Sequence, residues 1–172
     1  MIVRLVSGPG ECTNLWYKAD RSQPGGLVAY VVSSPQAVGA GSVDDPGGGK
    51  GNFGYFAKMS GSSPIGKLFY GYRGLYNGKL ADYLFQSTSI TSLTTFGTNY
   101  PLTGNFAGKG SFQIISVADG SVLYSSTSMT FTAVVVDSVT TADTFSITIL
   151  INKAPYKSVP NLPVKAGDVI VN

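Results

Sequence analysis

Met129-Thr130-Phe131-Thr132-Ala133-Val134-Val135 and Phe145-Ser146-Ile147-Thr148-Ile149-Leu150-Ile151-Asn152 decide the fold class. In the first, Met129, Phe131, Ala133 and Val135 share one face; in the second, Phe145, Ile147, Ile149 and Ile151 do. A β-strand sends successive side chains to opposite faces, so a period of two marks a strand. A helix would need apolar residues at i, i+3, i+4 and i+7, and no stretch sustains that pattern.

The same alternation extends outward from these stretches. Phe112–Val117 and Val122–Tyr124 flank Asp119-Gly120, and Phe69–Tyr76 and Lys79–Phe85 flank Asn77-Gly78. Both dipeptides favour the tight turns of β-hairpins. Further strands are expected at Ile2–Val6, Leu27–Val32, Phe53–Met59 and Asp168–Val171. Ala37–Asn52 reads as a long glycine-rich loop, and Ser87–Gly110 as a Ser/Thr-rich segment with little pattern. Pro160 and Pro163 keep Lys157–Val164 from being a central strand, since proline offers no ladder donor. The last strand is expected to return beside Ile2–Val6. Ser111–Asn152 reads as a nearly continuous meander. Many short strands parted by Gly, Ser, Asn and Pro clusters predict an all-β fold: an antiparallel two-sheet sandwich, jelly-roll-like. A single domain over residues 1–172 is expected, with Thr98–Asn105 as the one competing boundary.

Composition narrows the chemistry. The 172 residues include 12 Lys plus Arg, 9 Asp plus Glu and no histidine, for a net charge of +3. Without histidine there is no Ser-His-Asp triad, no imidazole metal ligand and no imidazole titrating near neutrality. Cys12 is the single cysteine, so an intramolecular disulfide and a multi-thiolate zinc site are both excluded. With no histidine to activate it, Cys12 reads as a small buried hydrophobe. No apolar run approaches the length of a membrane-spanning helix, so membrane insertion is not expected. Met1–Val6 is too short for the apolar part of a secretory signal. Either a leader was replaced by a start methionine or synthesis is cytoplasmic.

Asp44-Asp45-Pro46-Gly47-Gly48-Gly49-Lys50-Gly51 suggests a phosphate loop but lacks its first glycine and its final Ser or Thr. A flexible surface loop is the better reading. Asp44 and Asp45 also form a candidate calcium site, as neighbouring carboxylates on glycine-rich backbone, though no Asp-x-Asp-x-Asp ladder follows. Paired carboxylates are the remaining acid/base option. Glu11 and Asp20 are one pair that a cleft would bring together, whereas Asp119 and Asp168 are explained by turns. No other cofactor is implied.

The most unusual segment is Lys50–Lys79. It holds Lys50, Lys58, Lys67, Arg73 and Lys79 with no acid, interleaved with Phe53, Tyr55, Phe56, Phe69, Tyr70, Tyr72 and Tyr76. Tyr55, Lys58, Tyr70, Tyr72, Arg73 and Tyr76 are the candidate ligand or interface residues. Such a surface suits stacking on sugars, a protein partner, or single-stranded nucleic acid, the last disfavoured by the low overall basicity. The simplest reading turns the aromatics inward and the lysines to water. Trp16, the lone tryptophan, is a core anchor or the mark of a binding face.

Gly54-Tyr55-Phe56, Pro64-Ile65-Gly66, Leu75-Tyr76-Asn77-Gly78-Lys79-Leu80 and Gln86-Ser87 together resemble the start of laminin B-type modules. The resemblance covers a minor part of the chain, with altered spacing, and carries no functional residue across. It implies an extracellular, non-catalytic β-sandwich.

These readings predict a non-enzymatic structural or recognition protein at an extracellular surface or in a virion. It would form homo-oligomers through low-charge strands such as Met129–Val136 and Ser146–Asn152, and would bind glycan or protein. The alternatives are a polysaccharide-acting enzyme with an Asp/Glu pair and a nucleic-acid binder through Lys50–Lys79.

Overall fold

A computed structural model describes residues 34–172 and, before them, the backbone of two strands, β1 (Leu15–Ala19) and β2 (Leu27–Val31). These two pair antiparallel, from Leu15 opposite Val31 to Ala19 opposite Leu27. They belong to one unit, Met1–Ser34; Pro35–Asn172 form another, described next. Ile2–Val6, Glu11, Cys12, Asp20 and the Trp16 side chain lie outside the described residues.

The second unit is all-β. Its strands are β3 (Gln36–Asp44), β4 (Lys50–Ser60), β5 (Ser63–Tyr76), β6 (Lys79–Phe96), β7 (Leu102–Ser116), β8 (Val122–Asp137), β9 (Thr144–Ile151), β10 (Ala154–Pro163) and β11 (Ala166–Val171). They form one antiparallel sheet of nine strands, ordered β10-β9-β8-β7-β6-β5-β4-β3-β11. The expected division into two sheets is thus replaced in this unit by one continuous ladder. Thr98–Asn105 contains the β6–β7 connection and the start of β7, where Phe96 pairs with Thr103.

The topology forces the sheet to curl. A flat sheet of nine strands would measure about 38 Å across at about 4.8 Å per strand. Yet β10 and β11, at its opposite ends, are joined only by Val164 and Lys165. Two residues span roughly 10 Å at most, so the ends must meet and the sheet rolls into a half-barrel. Side chains and loop amides knit the seam. Val171 N–H donates to Asp137 at 3.0 Å, Val169 N–H to Asp143 at 3.0 Å, and Val164 N–H to the Asp143 carbonyl at 2.8 Å.

The interior is aromatic. Phe53, Tyr55, Tyr70, Phe85, Phe106, Phe112, Phe131 and Phe145 are all buried. Phe53 and Phe145 stack at 4.1 Å between centroids, nearly parallel. Glycines make room for these rings: a Cβ on Gly51 would strike the Tyr70 ring, and one on Gly110 would lie 2.5 Å from Phe85.

Two expectations change here. Ala37–Asn52 is mostly strand rather than loop, since β3 and the start of β4 occupy it. The closing strand β11 pairs with β3, from Ala166 opposite Ser42 to Val171 opposite Ala37; its expected neighbour Ile2–Val6 lies outside the described residues. Met129–Val136 lies in β8 and Ser146–Asn152 largely in β9, both with neighbours on each side, so neither offers a free edge. Among the described strands the edges are β10, which contains Pro155, Pro160 and Pro163, and β11, whose outward amides at Val169 and Val171 are held by Asp143 and Asp137. Prolines and satisfied amides discourage strand addition.

Candidate functional site

The pleat sorts the Lys50–Lys79 segment onto two faces. Tyr55 and Tyr70 are buried in the core, and Tyr72 and Tyr76 pack against it half-buried; Lys58 and Arg73 point out to solvent. The six candidate residues therefore do not form one surface. Tyr72 stacks on Tyr83 at 4.5 Å, and the Tyr83 hydroxyl donates to the Leu75 carbonyl at 2.7 Å. The Tyr55 hydroxyl is buried and has no hydrogen-bond partner among the described residues. Burial pushes its pKa well above the usual phenol range, with Asp143, Asp137 and Asp168 adding to the effect. Arg73 is committed to a two-pronged ion pair with Asp82, at 2.7 and 3.0 Å, which holds Asp82 below the usual carboxylate range.

Asp44 and Asp45, the candidate calcium ligands, take different partners. Asp44 is exposed and pairs with Lys165 at 3.2 Å. Asp45 is buried: one carboxylate oxygen accepts from Lys157 Nζ and from Gly47 N–H, each at 2.6 Å, and the other from the Tyr70 hydroxyl. Among the described residues, no group of three or more acids and cysteines is placed to hold a metal ion. Asp119 and Asp143 also have local roles. Asp119 accepts from Ser121 N–H and Oγ and is lowered to about 2 by hydrogen bonds from Ser116 and Ser121. Asp143 accepts from Ser138 and Val169 amides.

A different feature occupies the outer face. Ladder register lines up Ile170, Val38, Phe56 and Lys67 in one row across β11, β3, β4 and β5. The next row is Asp168, Ala40, Gly54 and Phe69, with Gln86 of β6 beyond it. Between them runs an open groove of about 740 Å³, floored by Ala40 and Gly54 and walled by Val38, Phe56, Phe69 and Ile170. The two phenylalanines are 44% and 42% exposed, large values for rings that burial would stabilise. A Cβ on Gly54 would meet nothing within 4 Å, so the floor opens to solvent. Lys67 and Asp168 stand at diagonally opposite corners. A smaller groove of about 370 Å³ adjoins it past Phe69, lined by Lys50, Asn52, Gly71, Arg73, Asp82 and Leu84 among others.

Sequence reasoning missed this site because it ranked tyrosines over phenylalanines. The available signal was parity: Phe56 and Phe69 lie out of phase with the inward residues Tyr55 and Tyr70. No family model matches the chain, and neither a curated protein nor a solved structure is significantly similar to it. The laminin B-type resemblance accordingly rests on its quoted residues alone.

Proposed function

We propose that this chain is a non-enzymatic structural and recognition protein that assembles with a second copy of itself through the outer-face groove. One observation carries the reading: Val38, Phe56, Phe69 and Ile170 form a contiguous, solvent-exposed apolar surface across four strands. Contiguous apolar surface of this kind marks interaction sites on soluble proteins. The corner charges favour a second copy over an unrelated partner. A two-fold axis lying in the face, perpendicular to the Lys67–Asp168 diagonal, sets Lys67 of each copy against Asp168 of the other. With both sheet edges blunted, association through a face replaces the edge pairing expected from sequence. The half-barrel then serves as the sandwich-like body of a surface or virion component, in keeping with its charge-poor, Gly-rich composition.

Sedimentation tests this reading. The wild-type chain is expected to dimerise, and Gly54→Leu, whose Cβ meets nothing within 4 Å and whose side chain fills the groove floor, to abolish dimerisation while leaving circular dichroism unchanged. Lys67→Glu and Asp168→Lys are each expected to weaken the dimer roughly tenfold, about 1.4 kcal/mol. The double charge swap should restore it. A strict monomer at high concentration, or single swaps without effect, refutes the proposal.

The smaller groove supports a second reading, glycan recognition. There the Phe69 ring adjoins Asn52, Arg73 and Asp82, an aromatic face beside polar groups that could engage sugar hydroxyls. Glycan-array binding lost in Asn52→Ala but retained in Phe56→Ala would favour it.

A further inference from the structure

Within the Pro35–Asn172 unit, Lys157 and Asp45 meet under conditions unusual for an ion pair. They are 112 residues apart in sequence and join the β3–β4 turn to the edge strand β10. The Asp45 side chain is fully buried and that of Lys157 is 12% exposed, with Nζ and Oδ1 2.6 Å apart. Tyr72 covers the ammonium, its ring centroid 4.0 Å from Nζ. Tyr70, which donates to the second carboxylate oxygen, stacks in turn on Phe145 at 6.0 Å. Removing two charges from water to such a place is costly, and direct contact between them offsets that cost only in part.

We propose that Lys157 and Asp45 become joined by an intramolecular isopeptide bond. A proton passes from Nζ to Oδ1 along their hydrogen bond, leaving a neutral amine beside a carboxylic acid. The Nζ lone pair attacks Cγ and an N–C bond forms. The negative charge that develops on Oδ2 is met by the Tyr70 hydroxyl, a donor already aimed at that atom. A second proton leaves nitrogen for Oδ1, the Cγ–Oδ1 bond breaks, and one water departs. Atoms and charge balance without an oxidant, metal or co-reactant. Oδ2 remains as the amide oxygen, still bonded to Tyr70. Proximity lowers the barrier, since the fold holds the amine against the carboxyl group, Nζ 2.6 Å from Oδ1. The product is a covalent side-chain tie between the edge strand β10 and the turn that follows β3.

Intact-mass spectrometry of the purified, unfolded wild-type chain tests this directly. The expected mass is one water below that of the sequence, and peptide mapping should yield a branched peptide linking Asp45 to Lys157. Lys157→Arg should show the full sequence mass. Asp45→Asn should form the same product with loss of ammonia, and Tyr70→Phe should leave a larger uncrosslinked fraction. A wild-type chain of full mass overturns the proposal. So does a missing water that maps elsewhere, such as a succinimide at Asp119-Gly120. Because the wild-type map is decisive alone, a variant that fails to fold leaves the test intact.

Discussion

Phe145 and Phe69 are the same residue type on strands of one sheet, yet the fold assigns them opposite roles. Phe145 is fully buried, with Phe53 stacked at 4.1 Å, Tyr70 at 6.0 Å and Tyr55 at 6.3 Å. Phe145→Ala removes a ring from the middle of that stack. Buried Phe→Ala changes cost about 3–5 kcal/mol, and the three rings packed around Phe145 place this one near 4–5 kcal/mol. Phe69 stands 42% exposed on the outer face, so Phe69→Ala should cost under about 1 kcal/mol. With a urea dependence of about 2 kcal/mol per molar, the first change lowers the unfolding midpoint by about 2 M and the second by under about 0.5 M. Urea titrations followed by circular dichroism, at a protein concentration that keeps every variant monomeric, measure both. Equal midpoints for the two variants would refute the assignment of faces, and with it the location of the groove.

The glycines make a paired prediction. Gly110→Ala puts a Cβ 2.5 Å from the Phe85 ring and 2.8 Å from the Gln86 carbonyl, and should cost about 1–3 kcal/mol in thermal or urea unfolding. Gly54→Ala meets open space and should be neutral or stabilising by about 0.5–1 kcal/mol, so a loss there would contradict the open floor. Asp137 makes a prediction in pH. Burial, then the neighbouring Asp143 and Asp168, raise its pKa above 3.8, against the Val171 amide that lowers it. The folded protein then holds this proton more tightly than the unfolded chain does, so Asp137 ionisation erodes stability as pH rises through and above 3.8. Asp137→Asn keeps an oxygen for Val171 N–H, so its stability relative to wild type should improve as pH rises over that window; urea midpoints that diverge in the opposite sense would refute this.

The hairpins and inward faces were legible because local chemistry dictates them. Asn77-Gly78 forms the β5–β6 turn with φ of 50° and 78°, where glycine tolerates what most residues resist. Phe131, Ala133, Val135, Phe145, Ile147 and Ile149 are all buried, as their alternation predicts. The misread regions have physical causes. β3 is built of Val38-Gly39-Ala40-Gly41-Ser42, which resembles a loop by propensity. Its small residues are there because the Tyr55 and Phe53 rings lie against them: a Cβ on Gly39 would come within 2.6 Å of the Tyr55 hydroxyl. Ser87–Gly110 lost its pattern because register shifts between Ser87 and Ser89 and between Ile90 and Ser92 change the phase of alternation. One sheet or two was not legible, since either buries a single face of each strand. The groove was harder still, as it arises from side chains on four strands that only ladder register brings together.

The strand order also sets a timetable. From β3 to β10 each strand pairs with the next one made, so hairpins can form as the chain emerges. The partner for the other side of β3 is β11, in which Ala166 meets Ser42. At about 5–20 residues per second, that flank of β3 waits on the order of ten seconds for its mate. During synthesis the growing sheet therefore carries a bare, glycine-rich edge, and the six residues Ala166–Val171 retire it. Slowing translation before β11 should lengthen the interval in which nascent chains can pair with one another.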